Sequence, residues 1–118
     1  MATILICDDS EYIRKTISKI VQDIGHEVVG LATNGEEVVD MYVKLRPEIV
    51  TIDVVMPKKH GIDALKDIIN IDPHAQVIIV SAVTHEPLIK RGLEIGALNF
   101  ITKPFTVNEF VNGLSIVG

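Results

Sequence analysis

The chain has 118 residues, 47% of them hydrophobic and only 4% aromatic, with a formal net charge of −5. That length fits one domain with an aliphatic core, and the acidic balance argues against non-specific nucleic-acid binding. The apolar runs are too short to cross a bilayer, and Met1-Ala2-Thr3-Ile4 lacks the basic region of a signal peptide, so no membrane insertion is expected and the protein is assigned to the cytoplasm.

Thr3 to Cys7 is a continuous β-prone run ending at Asp8-Asp9-Ser10, the pattern of a buried parallel strand that feeds a helix. Cys7 is the lone cysteine; within this apolar run it reads as a buried structural thiol in a reducing compartment. Ser10 opens a helix with Ile13, Ile17, Ile20, Val21 and Ile24 on one face, stopped by Gly25. Glu27 to Ala32 is a second, weaker strand. Asn34-Gly35 reads as a turn before a helix carrying Val38, Val39 and Tyr42 and closed by Arg46-Pro47. Ile49 to Ile52 is the third strand, followed by Asp53 and a loop from Val54 to His60 that contains Pro57. Gly61 leads a helix with Ile62, Leu65, Ile68 and Ile69 inward, ended by Asp72-Pro73. Val77 to Val80 is the fourth strand, followed by Ser81; Pro87 to Ile95 is a short helix ended by Gly96. Asn99 to Thr102 is the fifth strand, followed by Lys103-Pro104. Thr106 and Glu109 form a capping box for a last helix bearing Phe110, Val111 and Leu114. Five βα units predict a doubly wound α/β sheet.

Four of the five strands end in polar residues able to do chemistry: Asp8-Asp9, Asp53, Ser81 and Lys103. In a parallel sheet these ends share one edge, and open α/β sheets bind their ligands there. Each residue alone has an ordinary reading, as a helix cap, a turn aspartate or a solvated lysine. Together they outweigh those readings. Asp8, Asp9 and Asp53 supply −3 and Lys103 +1, which leaves −2, the charge one divalent cation would balance. Mg²⁺ prefers one or two carboxylates, waters and a phosphate, so the set suits Mg²⁺ and a phosphoryl group, with one carboxylate as nucleophile. His26, His60, His74 and His85 lack paired metal-ligand spacing. Lys58-Lys59-His60 reads as a solvated basic loop beside the site, able to steer a phosphodonor.

Over nearly its whole length the chain resembles the receiver domain of two-component response regulators, and among these the stand-alone, CheY-like chemotaxis type. The resemblance rests on Asp8-Asp9, Asp53 with Met56-Pro57 and Gly61, Ser81-Ala82, and Lys103-Pro104-Phe105. It implies a flavodoxin-like (βα)5 fold of strand order 2-1-3-4-5, with residues 1–118 as one receiver domain. Asp53 is then the phospho-acceptor, Asp9 a direct Mg²⁺ ligand, Asp8 a ligand through water, and the Val55 backbone carbonyl a third protein ligand. Lys103 binds the phosphoryl group, the Lys103–Pro104 peptide is cis, and Ser81 and Phe100 form the switch. A histidine kinase donates the phosphoryl group. A downstream protein, such as a motility-motor component or adaptor, reads the surface of the fourth helix, fifth strand and fifth helix of a monomer. The protein catalyses only its own phosphorylation and dephosphorylation. Val55 and Val83 stand where some relatives carry polar residues that orient water, which predicts slow self-dephosphorylation.

Three other readings bear on the same residues. A phosphatase with an aspartyl nucleophile usually places a second acid two residues on, where this chain has Val55. A phosphorylation-independent interaction module does not need the intact set of Asp8, Asp9, Asp53 and Lys103. A phosphorelay intermediate, passing phosphate to a histidine on another protein, uses the same residues. With the sequence ending at Gly118, no DNA-binding output domain is expected to follow.

Overall fold

The computed structural model describes residues 1–83 and 85–116; Gly118, and with it the expectation about the chain's end, lies outside them. The strands are β1 (Thr3–Cys7), β2 (Glu27–Ala32), β3 (Ile49–Ile52), β4 (Val77–Ser81) and β5 (Asn99–Thr102). Between and after them come α1 (Glu11–Asp23), α2 (Gly35–Leu45), α3 (Gly61–Ile71), α4 (Glu86–Ile95) and α5 (Val107–Leu114). All four strand pairings are parallel, in the order β2-β1-β3-β4-β5. This is the flavodoxin-like order expected.

Successive side chains of a strand point to opposite faces, so each aliphatic run feeds two cores. Leu5, Cys7, Val50, Ile52, Val77 and Ile79 meet Val38 of α2 and Leu65 and Ile68 of α3 on one face. Ile4, Ile6, Ile49, Ile78, Val80 and Ile101 meet Ile17 and Val21 of α1 and Phe110 and Leu114 of α5 on the other. Burying each such side chain contributes roughly 1.5–3 kcal/mol, which is how a chain poor in aromatics still secures a sheet. α4 is the exception. Gly92 is its only wholly buried residue, and its N-cap His85 makes no side-chain capping bond.

Local chemistry sets the helix starts. The Ser10 hydroxyl accepts from the Ile13 N–H, and Thr106 and Glu109 cap α5 reciprocally, as the sequence predicts. Asn34-Gly35 differs from the predicted turn: Asn34 is itself the N-cap of α2, its side chain accepting from Glu37 N–H at 2.8 Å, and Gly35 is the first helical residue. Ile24, expected on the buried face of α1, is 43% exposed at the C-cap, because the helix ends before that position comes round to the sheet. Ser81 is the last residue of β4 rather than the first of a loop, and α4 begins one residue earlier than predicted. The Lys103–Pro104 peptide is cis.

Candidate functional site

The site forms because β1 and β3 are neighbours in matched register. Cys7 lies opposite Ile52, so Asp8 and Asp53 leave the sheet side by side, with the Asp53 N–H donating to the Cys7 carbonyl at 3.1 Å. On the far side, Ser81 pairs with Thr102, and the Lys103 N–H donates to the Ser81 carbonyl at 3.0 Å. The sheet thus brings together Asp8, Asp9, Asp53, Ser81 and Lys103 from four strand ends.

The side chains converge accordingly. Lys103 Nζ donates to Asp8 Oδ2 at 2.6 Å and to Asp53 Oδ2 at 3.1 Å. Both carboxylates are nearly inaccessible, Asp8 at 1% and Asp53 at 7% exposure. Backbone donors fix their other oxygens: Ser10 N–H reaches Asp8 Oδ1 at 2.9 Å, and Val54 N–H reaches Asp53 Oδ1 at 2.7 Å. Asp9 stands beside them, exposed, and each of the three carboxylates offers an oxygen within 4.8 Å of the others. Burial works against the Lys103 charge. The hydrogen bond to Asp8 and the charges of Asp53 and Asp8 outweigh it and keep the ammonium above the ordinary lysine range. Three acids facing one lysine form an all-oxygen, hard donor set with net negative charge and one open side at Asp9, which fits Mg²⁺ and a phosphate together.

The loop after β3 is shaped by close packing against this site. Gly61 donates its N–H to the Val54 carbonyl at 2.7 Å. A Cβ on Gly61 would stand 2.7 Å from Val54 Cα and 2.9 Å from the Asp53 carbonyl carbon, and closer still to that carbonyl's oxygen. These are backbone atoms and cannot turn aside. Gly61→Ala is therefore expected to cost about 2 kcal/mol in urea unfolding, since the backbone that must shift includes Asp53. A variant with wild-type stability would contradict the packing argument.

Cys7 is buried as expected, and burial, then the charge of Asp8, pushes its thiol well above the usual range, so it is not a nucleophile. Its sulfur lies 3.2 Å from that of Met56, in the loop after β3. The predicted basic loop is only partly solvated. Lys59 pairs with Asp67, and His60 is the N-cap of α3, its Nδ1 accepting from Ile62 N–H at 3.2 Å. Lys58 remains exposed, in a left-handed conformation at φ 68°. Val55 faces solvent. The Ser81 hydroxyl is wholly buried and accepts from Val83 N–H at 3.2 Å. Phe100 is half-buried against the core face that contains Ile79.

Residues 4–115 match the model of the response regulator receiver domain. The chain belongs to the response regulator receiver family. It is 42% identical to the chemotaxis protein CheY of Thermotoga maritima over 97% of this chain and 95% of that protein. It is 38% identical to a protein of Bacillus subtilis named CcdB, over 99% of this chain and 98% of that one. Among solved structures, the CheX-CheY-BeF3-Mg²⁺ complex from Borrelia burgdorferi is similar at a TM-score of 0.93 and 36% identity, covering 95% of this receiver and 85% of that chain. Receivers of this family are signalling switches.

Sequence reasoning missed one participant at this edge, Arg14 of α1. Its guanidinium Nη1 donates to the Asp8 backbone carbonyl at 2.7 Å. The signal was present: an arginine in the first helical turn after the Ser10 cap is placed to fold back over the strand end.

Proposed function

We propose that residues 1–118 act as one stand-alone receiver whose Asp53 accepts a phosphoryl group from a phosphohistidine of a partner kinase. The observation that carries this reading is the position of Lys103 Nζ, in contact with both buried carboxylates while Asp9 stays open to solvent. In the transfer, an Asp53 oxygen forms the new P–O bond as the donor's P–N bond breaks, and the imidazole leaves with the electron pair. Val54 N–H sets the rotation of the Asp53 carboxylate. Lys103 changes from neutralising Asp53 to neutralising the phosphoryl oxygens. Asp8, Asp9 and Asp53, with the Val55 carbonyl, would hold Mg²⁺, which supplies the remaining counter-charge. The test is incubation with acetyl phosphate and Mg²⁺ followed by intact-mass measurement: one phosphoryl mass should appear, and none when a chelator is added first. A chain unchanged in mass under both conditions would rule the reading out.

The switch proposed is a movement of the Ser81 hydroxyl from Val83 N–H towards phosphorylated Asp53, which frees space for Phe100 to turn inward. Having no hydroxyl, Phe100 contributes packing alone. Ser81→Ala is expected to gain phosphoryl mass as the wild type does, yet to lose most of the phosphorylation dependence of target binding in a pull-down with beryllofluoride. Unchanged dependence would remove Ser81 from the switch. Val55 and Val83 cannot orient an attacking water, so the acyl phosphate is expected to persist for minutes or longer. A half-life of seconds, followed by loss of mass, would contradict this.

The similarity to a protein named for chemotaxis supports a role in motility signalling. The kinase would then be a chemotaxis histidine kinase, the reader a motor component or adaptor, and the receiver a cytoplasmic monomer. Pull-down from a motile cell extract, with and without beryllofluoride, tests that assignment.

A further inference from the structure

Asp8 is pinned at every polar atom. Its N–H donates to the Ala32 carbonyl at 3.1 Å, Oδ1 accepts from Ser10 N–H at 2.9 Å, and Oδ2 accepts from Lys103 at 2.6 Å. Its carbonyl oxygen accepts from Arg14 Nη1 at 2.7 Å. Asp9 is different. Its carboxylate is exposed and has no hydrogen-bond partner among the described residues, yet it lies within the 4.8 Å cluster. Something other than its own side-chain contacts must therefore aim it.

The carbonyl that Arg14 holds belongs to the peptide joining Asp8 to Asp9. That peptide is planar, so fixing its oxygen fixes the nitrogen and Cα of Asp9 as well. Arg14 is itself anchored, because its N–H donates to the Ser10 carbonyl at 3.0 Å in the first turn of α1. Among the described residues, the only hydrogen bond to this peptide's oxygen comes from a side chain on a capped helix. From this geometry we infer that Arg14 is a positioning residue, which orients Asp9 towards the cation through the Asp8–Asp9 peptide. The inference rests on the site reading given above.

Charge and position make opposite demands here, and that makes the inference testable. Arg14 is a cation beside an acidic cluster. If charge were its only influence, removing it would strengthen Mg²⁺ binding. If it positions Asp9, removing it weakens binding, by about 10-fold or more, as loss of an outer partner of a metal ligand does.

The experiment is calorimetric titration of the unphosphorylated full chain with Mg²⁺ alone. Arg14→Met is expected to weaken Mg²⁺ at least about 10-fold, and Arg14→Lys, which keeps a long donor, to restore most of the loss. In an Asp9→Asn background, Arg14→Met should change the affinity by less than about two-fold, because the residue it aims is no longer a carboxylate. Arg14→Gln is too short to reach the carbonyl and replaces Arg14→Met if that variant does not fold. Unchanged or tighter Mg²⁺ binding in these variants overturns the inference, as does an undiminished effect in the Asp9→Asn background. The titration needs no phosphoryl transfer. If acetyl phosphate failed to modify the wild type, the acceptor reading would fall while the Arg14 result still stood or fell on its own.

Discussion

Asp53→Asn is expected to gain no phosphoryl mass from acetyl phosphate and Mg²⁺, a loss in rate of at least about 1,000-fold relative to wild type. An amide oxygen shares its lone pair with nitrogen and carries no charge, so it cannot replace a carboxylate as nucleophile. The fold should survive the change. Lys103 keeps Asp8 at 2.6 Å, and an asparagine oxygen can still accept from Val54 N–H as Asp53 Oδ1 does at 2.7 Å. Stability in chelator is therefore expected to stay within about 1 kcal/mol of wild type. That control shows the lost mass to be lost chemistry rather than lost structure. A variant that gains the mass at the wild-type rate would move the acceptor elsewhere.

Lys103→Met carries the larger structural penalty. Its methylene stem is preserved, but two buried carboxylates lose their shared counter-charge. Removing one partner of a buried ion pair costs about 3 kcal/mol, and urea unfolding in chelator at neutral pH should show a loss of that order. Mg²⁺ should then recover more stability in the variant than in wild type, because the cation is the counter-charge that remains. The pH dependence has a definite sign. The folded protein raises the Lys103 pKa, with the attraction of Asp8 and Asp53 overcoming burial. The stability it contributes is full below the ordinary lysine range and is lost as pH rises through the raised value. The gap between wild type and variant should therefore narrow in strong alkali. Equal stability of the two proteins at neutral pH would mean that Lys103 does not neutralise the cluster.

Much of this architecture was legible in the sequence because its signals are local. Aliphatic runs such as residues 77–80, buried throughout, could hardly be anything but central parallel strands. Ser10 and Thr106 announced the starts of α1 and α5 by their capping chemistry. The acidic residues could be grouped because strand ends in a parallel sheet share an edge. What escaped notice depends on contacts made in three dimensions. Ile24 fits the period of α1 but falls where the helix has already ended. The salt bridge of Lys59 with Asp67 joins a loop to a helix, and no period of either predicts it. Asn34-Gly35 has a composition common to turns and caps; the Asn34 side chain accepting from Glu37 N–H makes it a cap, and Gly35 leaves room for the Lys59 backbone. The Lys59 carbonyl carbon would lie 2.7 Å from a Cβ at that position.

The bond between Lys103 and Asp8 spans 95 residues of sequence. A ribosome delivers Asp8, after β1, and Asp53, after β3, well before Lys103, the cation they share. Until β5 docks at its edge of the sheet, every earlier strand can be in place while the acid pair stays unneutralised. The docking of the last strand is thus what brings a counter-charge to the acids at the ends of the first and third.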